Sequence, residues 1–280
     1  MIKLSHIVPI KFIKDYSGDF IMVLANYLDP EIENEYEKVI KETKLPLVLD
    51  NGVFEIGKAD GIDNLMRKAK RLNPVYIFTP DTLFDTKQTR SGYEIFKYIQ
   101  EKQGTKFRIG VIIQADNEED YLKEFIEYNN DPEVSVIGLS YLAISHSIKY
   151  KIASKVPKSV KERKKDAWNV FKDADYTEDR IKMLKKIEQL DLKKIKPLHL
   201  LGIGKSYADL IYAQKLPYYH YNDTSTCYMT AKKGLILTDN LEVPGGKIKD
   251  KINIYDNPGP MIKQLLEINI NKVESVLCHK

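Results

Sequence analysis

The chain has 280 residues, 44 lysines and arginines against 40 acidic residues, a formal net charge of +4, and 43% hydrophobic with 30% charged residues. That balance fits a folded protein able to bury one large core and excludes disorder as the main theme. With no apolar run near the roughly 20 residues that span a bilayer, and an opening MIKLSHIVPIKF too short in its apolar part for a signal peptide, neither a membrane nor an export role is expected, and the expected compartment is the cytoplasm.

Short apolar runs recur along the chain in the order LSHIVPI, FIMVLANYL, LPLVLDNG, VYIFTPD, FRIGVIIQA, VSVIGLS, LHLLGIG and YYHYND. Several are apolar at consecutive positions, the pattern of a parallel strand buried on both faces. Between them lie segments of helical periodicity: PEIENEYEKVIKET, GIDNLMRKAKRL, TRSGYEIFKYIQEK, NEEDYLKEFIEYNN, TEDRIKMLKKIEQL and SYADLIYAQK. In the fifth, Thr177 is expected to cap the helix, with Glu178 and Asp179 in its first turn. About eight strands alternating with helices predict an α/β fold, a single-domain (β/α)₈ barrel. A long connection, residues 141 to 197, is expected to form an insertion between strands six and seven, to hold extra helix, and to carry Trp168, the only Trp.

In such a barrel the chemistry collects where the strands end. Those ends read Asn26, Asp50, Asp81, Gln114, Gly138 with Leu139 and Ser140, Gly202 with Gly204, and Asp223. Each aspartate alone could simply cap the next helix; three together, with two amides, point to a site. Of two such carboxylates, one can attack an electrophilic carbon while the other gives and takes a proton at the leaving group. Asp223, between Tyr221 and Thr224, is expected to be partly desolvated and held by hydroxyl donors. Asp81 and Gln114 offer the acceptor and donor pattern that pairs with the edge of a purine-like ring. The lone GIG turn is weak as a phosphate cradle. His146, His199 and His220 show no metal-ligand spacing, and Cys227 and Cys278 form neither a disulfide framework nor a paired-Cys zinc spacing, so no metal and no cofactor are expected.

These run-ends, in this order, resemble the tRNA-guanine transglycosylase superfamily. DNGVFE keeps Asp50, Gly52 and Phe54 of the family's Asp-Ser-Gly-Gly-Phe; IIQAD keeps Gln114 of Val-Gln-Gly; IGLS keeps Gly138 and Leu139 of Gly-Gly-Leu-Ala; LLGIG looks like the Leu-Met-Gly-Val-Gly turn; and Asp223 matches the nucleophilic aspartate. The resemblance implies that Asp223 attacks C1′ of a nucleotide and expels guanine, leaving a glycosyl-enzyme ester. Asp50 would be the general acid/base toward the departing guanine and an incoming 7-deazaguanine of the queuosine-precursor type (preQ0 or preQ1). Asp81, Gln114, Gly138 and Leu139, with Leu201 and Gly202 of the LLGIG turn, would bind the base, and Asn26 would line the pocket near the sugar.

The family's tRNA enzymes usually carry a Cys-x-Cys-x₂-Cys zinc motif with a later His, and this sequence has no such motif and no expected RNA-binding appendage. It is therefore more similar to the divergent phage and bacterial branch that modifies DNA, with tRNA as the alternative polymer. Either polymer must yield an extruded base, with flanking phosphates held by lysines and arginines; Lys158, Lys161, Arg163, Lys164, Lys205, Lys232 and Lys233 are the candidates. Two other readings stay open: a non-catalytic nucleic-acid-binding subunit, which Val53 in place of the family's second glycine favours, and a glycoside hydrolase. A homo-oligomer stays open as well.

Overall fold

The computed structural model describes residues 2–53, 58–149, 176–203, 206–218, 220–246 and 252–277. Lys158, Lys161, Arg163, Lys164, Lys205, Phe54, Gly204, Trp168 and Cys278 lie outside them. The strands are β1 (Ile2–His6), β2 (Ile21–Leu24), β3 (Leu47–Asp50), β4 (Tyr76–Phe78), β5 (Ile109–Ile112), β6 (Val134–Ser140), β7 (Leu198–Leu201) and β8 (His220–Thr224). The helices are α1 (Pro30–Thr43), α2 (Ile62–Leu72), α3 (Thr86–Lys102), α4 (Glu118–Asn130), α5 (Tyr141–Lys149), α6 (Tyr176–Glu188), α7 (Ala208–Ala213), α8 (Thr226–Lys232) and α9 (Pro260–Leu277).

All eight strands form one parallel sheet in the order β1-β8-β7-β6-β5-β4-β3-β2. This is the nearly closed (β/α)₈ barrel that the alternation of apolar runs and helices predicts. The first connection lacks a full helix and holds only short turns at Ile10–Phe12 and Ile13–Tyr16. β2, β3, β4 and β5 are buried at every position, as strands covered on both faces must be. No helix among the described residues is long and apolar enough to cross a membrane.

No backbone ladder joins β1 to β2 among the described residues. Ser5 Oγ accepts from Met22 N of β2 at 3.2 Å, and the residues just before β2 bond to β1 through both backbone and side chain: Asp19 N donates to Leu4 O at 2.7 Å, His6 N to Ser17 O at 2.8 Å, and Asp19 Oδ2 accepts from Leu4 N at 2.9 Å.

Period two along each strand sorts its side chains. Val48, Tyr76, Phe78, Ile112 and Val136, with Phe20 and Met22, fill the barrel interior, and Leu201 and Tyr221 pack against them. Their alternates, among them Leu49, Ile77, Val111, Ile137, Leu139 and Leu200, form the layer beneath the helices. Gly138 shares the inward register of Val136, and a Cβ there would lie 2.9 Å from Ile112 and 3.0 Å from Phe78, so the crowded interior requires glycine.

Helix starts follow local chemistry. Asp29 Oδ1 accepts from Glu31 N and Ile32 N while Pro30 occupies the first turn of α1. Asp85 caps α3, which begins three residues earlier than its apolar pattern suggests, through a bond from Gln88 N at 2.9 Å. Thr177 does not precede α6: it lies inside the helix, buried, because Tyr176 is already helical.

Candidate active site

Asp223 and Asp50 end strands on the same rim of the barrel. Asp223 follows Tyr221 on the inward side of β8, level with Leu201 of β7 and Ser5 of β1. Asp50 follows Val48 on the inward side of β3, level with Leu24 of β2. Going round through β1 and β2, the two are three strands apart. Both are only 7% exposed.

Among the described residues, none of the three expected aspartates caps one of these helices. The residue before α2 is Gly61, the cap of α3 is Asp85, and the residue before α8 is Ser225. Their carboxylates are committed elsewhere.

Asp223 is held by an imidazole. Its Oδ1 lies 2.8 Å from Nε2 of His199, whose Nδ1 lies 2.6 Å from the Tyr76 hydroxyl. His199 is fully buried, and its ring meets Phe20, Tyr76 and Phe78 edge to face at centroid distances of 5.8, 6.1 and 5.3 Å. Burial holds the Tyr76 phenol well above its ordinary pKa, with further upward pushes from Tyr221, Asp223 and, less, Asp50. The expected hydroxyl donors serve a different purpose. Thr224 Oγ1 accepts from Thr226 N at 3.0 Å and pairs with Thr226 Oγ1 at 2.7 Å, shaping the turn into α8. A hydroxyl beside the strand end finds the orphan amides of the next helix first.

Asp50 is held by its own loop. Its Oδ2 accepts from Gly52 N at 3.1 Å. Gly52 has φ +75° and a Cβ there would sit 2.5 Å from Asn26 Nδ2, so only glycine fits. Asn26, at the end of β2, donates to Gly52 O at 2.7 Å and Lys58 O at 3.1 Å. The buried Lys68 ammonium donates to Ala25 O and Asp60 Oδ2, both at 2.7 Å, and Asp60 N returns to Asn51 O at 3.0 Å. Asn26 therefore clamps the loop behind Asp50.

Asp81 and Gln114 meet, but chiefly each other. Asp81 Oδ2 accepts from Gln114 Nε2 at 2.6 Å and its Oδ1 from Asn51 Nδ2 at 2.7 Å, while Gln114 Oε1 accepts from Phe84 N at 3.1 Å. The chain Asn51–Asp81–Gln114 ties together the ends of β3, β4 and β5. It leaves Gln114 one amide hydrogen, and the Asp81 oxygens further lone pairs, for a ligand. Burial raises Asp81 to about 6 despite the bonds from Asn51 and Gln114, which pull it down.

The remaining expected residues divide by position. Gly138 and Leu201 face the interior; the Leu139 side chain lies in the outer layer, so only its backbone borders the rim. Leu139 O, Leu201 O and Gly202 O all accept from the fully buried Arg180 guanidinium, which also pairs with the fully buried Asp209. Lys232 pairs with Asp256. It and Lys233 sit at the far end of α8, about 10 Å of helix from the strand end that carries Asp223.

Residue spacing alone misses His199, Tyr76 and Arg180. The usable signal for the first two is register: His199 shares the inward side of β7 with Leu201, and Tyr76 that of β4 with Phe78.

Among the described residues no group of three His, Cys, Asp or Glu side chains is placed to hold a metal ion. The sequence has two cysteines where the zinc motif of the tRNA enzymes needs three, so that set does not fit. A scan against protein-family models and a search of curated proteins find no match to this chain.

Proposed function

We propose that the protein is a guanine transglycosylase that exchanges guanine for a 7-deazaguanine base in nucleic acid, DNA in preference to tRNA, by double displacement. The observation that carries the reading is the pair Asp50 and Asp223, both buried, at inward positions on one rim of one barrel. Asp223 attacks C1′ of an extruded nucleotide and Asp50 protonates the departing guanine, leaving a glycosyl ester on Asp223. The incoming base gives its proton to Asp50 and displaces Asp223, so two inversions retain the sugar configuration. The remaining amide hydrogen of Gln114 and lone pairs of Asp81 suit a base that presents both acceptors and donors. The preference for DNA rests on the sequence, which lacks the zinc motif of the tRNA enzymes.

One observation favours the non-catalytic reading: Val53, in place of the family's second glycine, is buried in a cluster with Leu83, Phe84, Tyr141 and Leu142. An exchange assay separates the two. Labelled guanine or a 7-deazaguanine should be incorporated into DNA, Asp223→Ala should reduce incorporation to background, and Asp50→Asn should slow it about 10²- to 10⁴-fold. No incorporation into either DNA or tRNA would sink the catalytic reading.

A further inference from the structure

The carboxylate assigned to attack is gripped from across the barrel, by a residue 24 positions away on β7 that is itself gripped by one 123 positions away on β4. We propose that His199, oriented by Tyr76, is the positioning residue of Asp223: a neutral imidazole whose Nε2–H holds Oδ1, leaves Oδ2 to bond the sugar carbon, and steadies the carboxylate when it departs. The inference rests on the base-exchange reading above.

Hydrogen bookkeeping leads there. The Tyr76 phenol, kept protonated by burial, has one hydrogen to place, and Nδ1 lies 2.6 Å away. Nδ1 then accepts, so the ring hydrogen sits on Nε2, 2.8 Å from an oxygen that in its ionised form only accepts. The opposite arrangement would need a protonated Asp223 and would strand the phenol hydrogen. Rings of Phe20, Phe78 and Tyr221 around the imidazole fix its plane. Among the described residues, no hydrogen bond reaches Asp223 Oδ2. The two oxygens are thereby made unequal.

In the first displacement an Oδ2 electron pair forms the bond to C1′. The C1′–N bond breaks, and its pair leaves with the base, which takes a proton from Asp50. Oδ1 becomes the ester carbonyl and keeps its Nε2–H bond. In the second, the incoming base loses its proton to Asp50 and bonds C1′, and the C1′–Oδ2 pair returns to the carboxylate. Charge reappears beside the Nε2–H donor, which stabilises it. No proton travels along the relay, so His199 acts on carboxylate charge and orientation, more strongly in the second step than in the first.

The test has an arm that needs no substrate. The ¹⁵N spectrum of His199 should show Nε2 protonated and Nδ1 as an acceptor, and Tyr76→Phe should shift Nδ1; a ring protonated on Nδ1 in the unaltered protein would overturn the relay. In the exchange assay, His199→Phe should lower turnover about 10²- to 10³-fold with KM nearly unchanged. It should also accumulate the covalent DNA adduct by intact-protein mass spectrometry. His199→Gln, with an amide donor in place of Nε2, should recover about tenfold. A His199→Phe enzyme that splits its time between the two steps as the unaltered enzyme does would overturn the assignment. Absence of exchange in the unaltered protein would overturn the base-exchange reading instead, and the spectrum would still decide the relay.

Discussion

Asp223 is held from within the barrel, by His199 and Tyr76 on β7 and β4, whereas Asp50 is held from the loop behind it, by Gly52, Asn26, Lys68 and Asp60. The first support is made of groups fixed by strands whose spacing the whole sheet sets, packed among the rings of Phe20, Phe78 and Tyr221. The second is a set of hydrogen bonds around one connection. A group that must stay in one place as a bond forms on it gains from the first arrangement. A group that must meet first a departing and then an arriving base tolerates the second.

The largest expected effect falls on the loop. Lys68→Met leaves Ala25 O without its donor and Asp60 without its cation, and chemical denaturation should show a loss of about 3 kcal/mol, the low end for a broken buried pair because the Asp60 side chain keeps 13% exposure. The His199 ¹⁵N pattern should not change; if it moves as well, the two supports are one and the comparison breaks.

Next is the polar chain that joins the loop to the barrel. Asp81 titrates near 6 when folded against about 3.8 in the open chain, because burial opposes its charge. A raised folded pKa means that its contribution is fully present below about pH 4 and is lost as pH rises through 6, about 3 kcal/mol in all. Melts of the natural protein and Asp81→Asn should therefore diverge in their pH slope between 4 and 6, and parallel slopes would show that Asp81 is not the group responsible. The smallest effect belongs to Asn26→Ala, which removes two bonds to loop carbonyls and should cost about 1 to 2 kcal/mol. It should slow exchange through Asp50 while leaving Asp223 adduct formation with an activated sugar donor intact.

The strands were legible because burial on both faces writes continuous apolar runs, and VSVIGLS coincides with β6 residue for residue. The rim was legible because parallel strands bring all their ends to one side, which is how Asp50 and Asp223 could be picked out 173 positions apart from run-ends alone. Their partners were not. Tyr76 and His199 touch only because β4 and β7 curve around a common interior, and no local spacing encodes that; judged by metal-ligand spacing, His199 looks idle. Asp81 and Gln114 read as a base-recognition pair, yet each first satisfies the other, since buried polar groups find the nearest partner. Thr177, read as a cap, is buried inside α6, and the Thr224 hydroxyl, read as a donor to Asp223, serves the backbone of the next turn instead.

The join between β1 and β2 bears on both carboxylates. Seven of the eight borders in the cylinder carry a strand ladder, and this one has only the Ser5 side chain to Met22 and a few bonds from β1 to Ser17 and Asp19, just before β2. It falls on the short arc between Asp223 and Asp50, so in the proposed exchange the gap that takes a sugar and its base would have its adjustable edge where the wall is least tightly sewn.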